Sequence, residues 1–249
     1  MMQQANKKSV PAAAAVLLIA ATTAVATPAA MAQSLLNNAQ QAQLAGWLGE
    51  GPLDLTAIYT KAAGDTSRDF HLASDGKGRT FSVMEASNGS GQTWLVGGYN
   101  PQSWNSSSGF NVTQDDRART AFLFNLTTGV MLPQLKQYFS GDTIGSRQTF
   151  NDIGYGPTFG SGHDLYVPSD LTHGGYSLLY TYNYLNQPPG NISLVDGSVF
   201  TAPNITYGAM QVFSISAVPE PASWGMLLLG LASLAGARRA RACRGGLRR

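Results

Sequence analysis

Residues Tyr176–Tyr184 read YSLLYTYNY, with Tyr176, Leu178, Tyr180, Tyr182 and Tyr184 at every second position. Side chains of an extended strand alternate between its two faces, so this spacing predicts a β-strand with one aromatic face. The same texture continues on both sides. Phe81–Ala86, Thr93–Tyr99 and Thr120–Leu126 are short strand-like runs, and Ile205–Ile215 reads as a final strand bulged at Gly208. Turn pairs separate the runs: Asp75-Gly76, Asn88-Gly89, Thr128-Gly129 and Asp196-Gly197. Two helices are expected. One spans Ser34–Leu48, capped by Ser34, with Leu44, Trp47 and Leu48 on one side and Gly49–Pro52 as its stop. The other spans Thr66–Ala73, capped by Thr66 or Ser67. The expected fold is mainly β (α+β), two antiparallel sheets in a sandwich with a few flanking helices. No internal repeat is visible, Pro188–Gly190 reads as a loop, and Ala217–Ala222 is the one credible linker.

Charge and cysteine content narrow the function classes. The formal charge is +2, but 8 of the 16 Lys and Arg lie at the two ends: Lys7, Lys8, Arg238, Arg239, Arg241, Arg244, Arg248 and Arg249. The middle is therefore mildly acidic and has no basic patch, which argues against a nucleic-acid partner. The sole cysteine, Cys243, lies in the basic tail, so the middle must fold on its core without disulfides.

Both ends read as address labels. Lys7 and Lys8 precede the Ala-rich apolar run Pro11–Val25, and Ala30-Met31-Ala32 is a small-x-small cleavage site, so the mature chain is expected to start at Gln33. This is the pattern of a secretory signal peptide over residues 1–32, cut by signal peptidase. At the other end, Val218-Pro219-Glu220-Pro221 leads into the uncharged apolar run Trp224–Ala237 and then into the arginines. Fourteen residues of helix cover roughly 21 Å, short of the about 30 Å hydrocarbon core. Snorkelling arginines, held inside by the positive-inside rule, and an interfacial Trp224 extend its reach.

In order and spacing, Val218, Pro219, Glu220, Pro221, Trp224 and the basic residues Arg238, Arg239 and Arg241 resemble a PEP-CTERM sorting signal, here over residues 217–249. The resemblance implies a Gram-negative bacterium that makes exopolysaccharide. It implies transient residence in the inner membrane, and cutting near the Pro-Glu-Pro element by an exosortase. Release to the cell surface or matrix would follow, with exopolysaccharide or another matrix component as a possible partner. The basic end, with Cys243 and Gly245-Gly246, is longer than the pattern needs.

The middle, residues 33–216, carries a second resemblance. Asp75-Gly76-Lys77-Gly78, then Gly97-Gly98-Tyr99 and Trp104, then Ala121–Leu126, then the run Tyr155–Leu165 (YGPTFGSGHDL) are similar in order to a TLDc domain. The resemblance implies a β-sandwich with flanking helices and supplies no catalytic residues. Within the last stretch Gly156, Gly160 and Gly162 suit positive φ or close backbone approach, with φ fixed at Pro157 between them.

His163 and Asp164 at the end of that loop are the first candidates for acid–base chemistry, with Glu85 beside them; the alternative is a bonded pair that locks the loop. Asp115-Asp116 beside Arg117 and Arg119 reads as a solvated loop with local ion pairs. His71, His163 and His173 are the available histidines, but no H-E-x-x-H pattern, calcium loop or P-loop spacing occurs, and no metal or cofactor is expected. The tyrosines of residues 176–184 either stack on glycan rings or line a half-buried sheet face. The expectation is a non-catalytic surface or matrix module. The alternatives are an exported enzyme acting on polysaccharide and an envelope protein anchored by an uncut tail.

Overall fold

The computed structural model describes residues 33–136, 144–182 and 192–217. The chain divides into two units, Met1–Ala32 and Gln33–Arg249, and the described residues belong to the second. The expected signal segment, the apolar tail helix and the Pro188–Gly190 loop lie outside the described residues. Among those residues no helix is long and apolar enough to cross a membrane.

Helix α1 is Asn38–Leu48. Its cap is Asn37 rather than the expected Ser34. The Asn37 side chain accepts from the N–H of Gln40, and the Gln40 side chain accepts from the N–H of Asn37, both at 2.9 Å. Ser34 only receives the N–H of Leu36 at 3.2 Å, so the helix starts four residues later than expected. Gly49, at φ 75°, ends it. Helix α2 is Ser67–Ser74, entered through Thr66, whose N–H and hydroxyl both reach the Asp69 carboxylate, at 2.8 and 3.0 Å. Those bonds hold the Asp69 carboxyl below its usual pKa.

The strands are β1 Leu53–Thr60, β2 Thr80–Ser87, β3 Thr93–Asn100, β4 Gly109–Val112, β5 Phe122–Asn125, β6 Val130–Pro133, β7 Arg147–Asn151, β8 Thr158–Phe159, β9 His173–Gly175 and β10 Ile205–Ala217. Seven form an antiparallel sheet in the order β1-β10-β2-β3-β5-β6, with β9 also paired to β10; β4, β7 and β8 form a second antiparallel sheet. The expected two-sheet antiparallel arrangement with helices outside is what these residues build.

Alternation along β2, β3 and β5 gives the large sheet two apolar faces. Phe81, Val83, Tyr99, Phe122 and Phe124 point to one side, where Leu36, Leu44 and Trp47 of the N-terminal segment and α1 cover them. Met84, Trp94, Val96 and Leu123 point to the other, against Phe70, Trp104, Phe159, Leu165 and Tyr182. The adjacent glycines of β3 make both contacts possible. A Cβ at Gly97 would lie 2.7 Å from the Phe124 ring, and one at Gly98 2.6 Å from the Phe159 ring. Each glycine thus lets an aromatic ring lie flush on its own face of the strand.

The bulge expected at Gly208 is present. Between Tyr207 and Met210 the register of β10 against β2 slips, leaving Gly208 and Ala209 opposite Glu85. Lys61 stitches the same region: its Nζ donates to the carbonyls of Leu171, Tyr207 and Gly208 and to the Thr172 hydroxyl at 2.8–3.1 Å.

The strand expected at Tyr176–Tyr184 is corrected. Residues 176–182 form no regular strand, only single bridges from Tyr176 to Tyr166 and from Tyr182 to Gln134; Asn183 and Tyr184 lie outside the described residues. The cause is a side chain that competes with the ladder. The N–H groups of Tyr180 and Tyr182 both donate to Asp164 Oδ1 at 2.7 Å.

Candidate functional site

The loop from Tyr155 to Tyr166 wraps β8 and places two neighbouring residues in opposite environments. Asp164 is fully buried. Its Oδ1 gathers Tyr180 and Tyr182, its own carbonyl accepts from the Ser177 hydroxyl at 2.6 Å, and Ser177 Oγ in turn receives the Leu194 N–H at 2.8 Å. Burial pushes the Asp164 carboxyl up to about 7, against the pull of the backbone N–H groups of Tyr180, Tyr182 and Thr181. Asp164 is thus the tie between the loop and the irregular chain of residues 176–182.

His163 is a half-buried ring held at φ 53°, an uncommon left-handed conformation for a side chain of this size. Burial lowers its pKa, so the ring is neutral at neutral pH. Its Nδ1 is buried without a hydrogen bond, so His163 and Asp164 do not form the bonded pair that was one reading of the sequence. Instead His163 joins a run of rings. Its centroid lies 6.4 Å from Phe110 and 5.7 Å from Tyr166, with interplanar angles of 29° and 25°. Tyr166 continues to Tyr176 at 4.9 Å, and Tyr176 to Phe200 at 5.3 Å. Phe150 meets Phe110 and Tyr155 edge-on at 4.8 Å, and Tyr155 meets Tyr166 edge-on at 5.4 Å. Every one of these rings is half-buried. The Arg147 guanidinium sits 5.1 Å from the Phe110 centroid and donates to the Ser161 hydroxyl at 3.1 Å.

The loop glycines divide by role. Gly160 has φ +81° and packs against the Asp164 carboxylate, while Gly156 has Leu171 and Val167 where a Cβ would go, at 2.6 Å each. Gly162 needs neither positive φ nor close approach, since the nearest atom to a Cβ there is 3.6 Å away. Pro157 is buried between Gly156 and Thr158.

The other candidates are dispersed. Glu85 lies opposite the β10 bulge, where its Oε2 receives the Ala209 N–H at 3.3 Å. His71 is buried, with Nδ1 2.7 Å from Asp75 Oδ1 and Nε2 2.9 and 3.1 Å from the carbonyls of Asp152 and Tyr155. His173 pairs with Asp170 at 3.1 Å on the surface. Among the described residues no group of three or more His, Cys, Asp or Glu is placed to hold a metal ion. Asp115 pairs with Arg117 at 3.2 Å in the exposed setting expected. Asp116 pairs at 2.6 Å with Arg119, which is buried and donates to the carbonyls of Thr113, Gln114, Leu135 and Lys136. Phe110, Phe150 and Phe200 were missed as partners of the tyrosines because they come from distant parts of the chain; the only local hint was the aromatic spacing at 176–184.

Gln33, the expected mature N-terminus, is tied to the large sheet: its carbonyl accepts from Gln211 Nε2 at 3.2 Å, and Gln211 Oε1 receives the Leu35 N–H at 2.7 Å. Ala30 and Ala32 lie outside the described residues. Residues 217–242 match the family of the PEP-CTERM protein-sorting motif. The match begins at Ala217, the last residue of β10, and takes in Val218, Pro219, Glu220, Pro221, Trp224, Arg238, Arg239 and Arg241, all outside the described residues. Such a motif implies an exported protein, anchored in the membrane before an exosortase processes and sorts it. None of the curated proteins matches the chain.

Proposed function

We propose that this chain is a non-catalytic surface or matrix module that acts by binding once both ends have been removed. The sorting motif at residues 217–242 carries the reading. The engagement of the acid–base candidates supports it: Asp164 anchors backbone, Glu85 serves a bulge, and His163 belongs to a ring cluster in which its Nδ1 makes no hydrogen bond. The ligand of such a module would be exopolysaccharide or another matrix component.

A TLDc-like identity of the middle is part of the same proposal. The stretches that carry the resemblance lie as follows in the fold. Asp75–Gly78 precedes β2, Gly97–Tyr99 lies in β3, Phe122–Asn125 is β5, and Tyr155–Leu165 wraps β8.

The test is made on protein recovered from the producing cells. Mass spectrometry is expected to find a start at Gln33 and an end upstream of Trp224, in the surface or medium fraction. A chain ending at Arg249 leaves the anchored-envelope alternative. Polysaccharide cleavage by the purified mature protein, lost in His163→Ala without unfolding, would replace the binding module with an enzyme.

A further inference from the structure

We propose that the ring run Phe110–His163–Tyr166–Tyr176–Phe200 is a binding face for an extended polysaccharide chain, held through the C–H faces of its sugar rings. The inference rests on the surface-module reading above and names the site within it.

Four observations converge. The first is continuity: rings from β4, the 155–166 loop, the chain after β9 and the segment before β10 meet in sequence, with centroid steps of 4.9–6.4 Å. Each step is close to the advance of one pyranose residue along an extended chain. The second is chemistry. The run is made of rings, whose electron-rich faces attract the polarised C–H groups of a sugar. Among the described residues the hydroxyls of Tyr155, Tyr166 and Tyr176 make no hydrogen bond, leaving donors and acceptors for sugar hydroxyls along the run. The third is charge. Burial raises the pKa of Tyr166 and Tyr176 and lowers that of His163, so the run itself is neutral; at its margins Arg147 lies over Phe110 and the Asp170 carboxylate acts on Tyr166. A neutral, hydroxyl-rich polymer fits it better than a polyanion. The fourth is rigidity. Phe150 and Tyr155 buttress the run edge-on, and Asp164 fastens the loop from beneath, so little order is left to be lost on binding.

The probe is protein-free exopolysaccharide purified from the producing cells, cast into native gels through which the purified mature protein migrates. Retardation of the wild type is expected. Tyr166→Ala and Tyr176→Ala should each weaken it at least tenfold, and Leu72→Ala on α2 should not change it. Thermal melts check that the variants fold. Should a variant fail to fold, ring proton NMR signals of the wild type supply the second reading: they should shift when the polysaccharide is added. Normal migration of the wild type, binding unchanged in both tyrosine variants, or binding without ring shifts overturns the proposal. So does light scattering that shows a dimer lost in Tyr176→Ala, since the face would then belong to a protein partner. A trimmed surface protein that ignores the polysaccharide sinks this inference alone, whereas an untrimmed cytosolic chain sinks the export reading beneath it.

Discussion

The carboxylate of Asp164 lies directly against the backbone of Gly160, with Oδ2 occupying the space a Cβ would need. The contact closes the loop on itself. Gly160 supplies the left-handed turn at φ +81°, the chain returns, and Asp164 fills the hollow while its other oxygen reaches across to Tyr180 and Tyr182. His163, at φ 53° among the rings, directly precedes this inward anchor in the chain.

Gly160→Ala should therefore cost about 2 kcal/mol or more, since an L-residue in this conformation costs roughly 1–2 kcal/mol before the carboxylate is displaced. Urea unfolding of the mature domain measures it. A loss below about 0.5 kcal/mol, the range of ordinary surface substitutions, would contradict the packing described.

Asp164 also sets a pH signature. Its folded-state pKa is pushed up to about 7, above the unfolded value near 4. Between those values the native state keeps a proton that the unfolded chain has lost, so this group's stabilisation is fully present below about pH 4 and is lost as pH rises to about 7. His163, whose pKa is lowered, acts in the opposite sense at the acid end. The clean measurement is the difference between wild type and Asp164→Asn in unfolding free energy against pH. The variant should gain on the wild type as pH rises through this window, and parallel curves would refute the assignment.

Gly98→Ala tests how the two sheets meet. The added methyl would collide with the Phe159 ring at 2.6 Å and with Leu123 at 2.9 Å. Overpacking of this kind costs about 1–3 kcal/mol. Pairing the change with Phe159→Leu should recover part of the loss, as a double-mutant cycle would report; strict additivity would mean the two residues do not touch.

His71→Ala should loosen the attachment of α2 to the 152–155 loop. It removes one bond to Asp75 and leaves the carbonyls of Asp152 and Tyr155 without their ring partner. About 2–3 kcal/mol is expected from the unsatisfied groups and the cavity together. Hydrogen exchange should rise first in α2. An increase confined to α1 would show that His71 is not the fastener.

Local features were legible in the chain where local physics decides them. Gly49 as a helix stop, Thr66 as a cap, the Gly208 bulge and the strands built around Phe81, Trp94 and Phe122 each depend on a few neighbouring residues, and each lies where the spacing indicated. The cap of α1 moved from Ser34 to Asn37 because a reciprocal pair with Gln40 was available one turn further on. Alternation at Tyr176–Tyr182 pointed to a strand because periodicity records which side chains share a face, not which atom receives the backbone N–H groups. That atom is Asp164 Oδ1, sixteen and eighteen residues back.

By itself, the sequence determined the mainly β character, the cysteine-free middle and the sorting motif, because hydropathy period, turn residues and a contiguous signal are all short-range properties. Only the tertiary structure decided that His163 turns toward Phe110 and Tyr166 while Asp164 turns inward, and that rings separated by up to ninety residues form one surface. Adjacent residues share a sequence context but not an environment, and burial, ring contact and proton affinity follow from the environment.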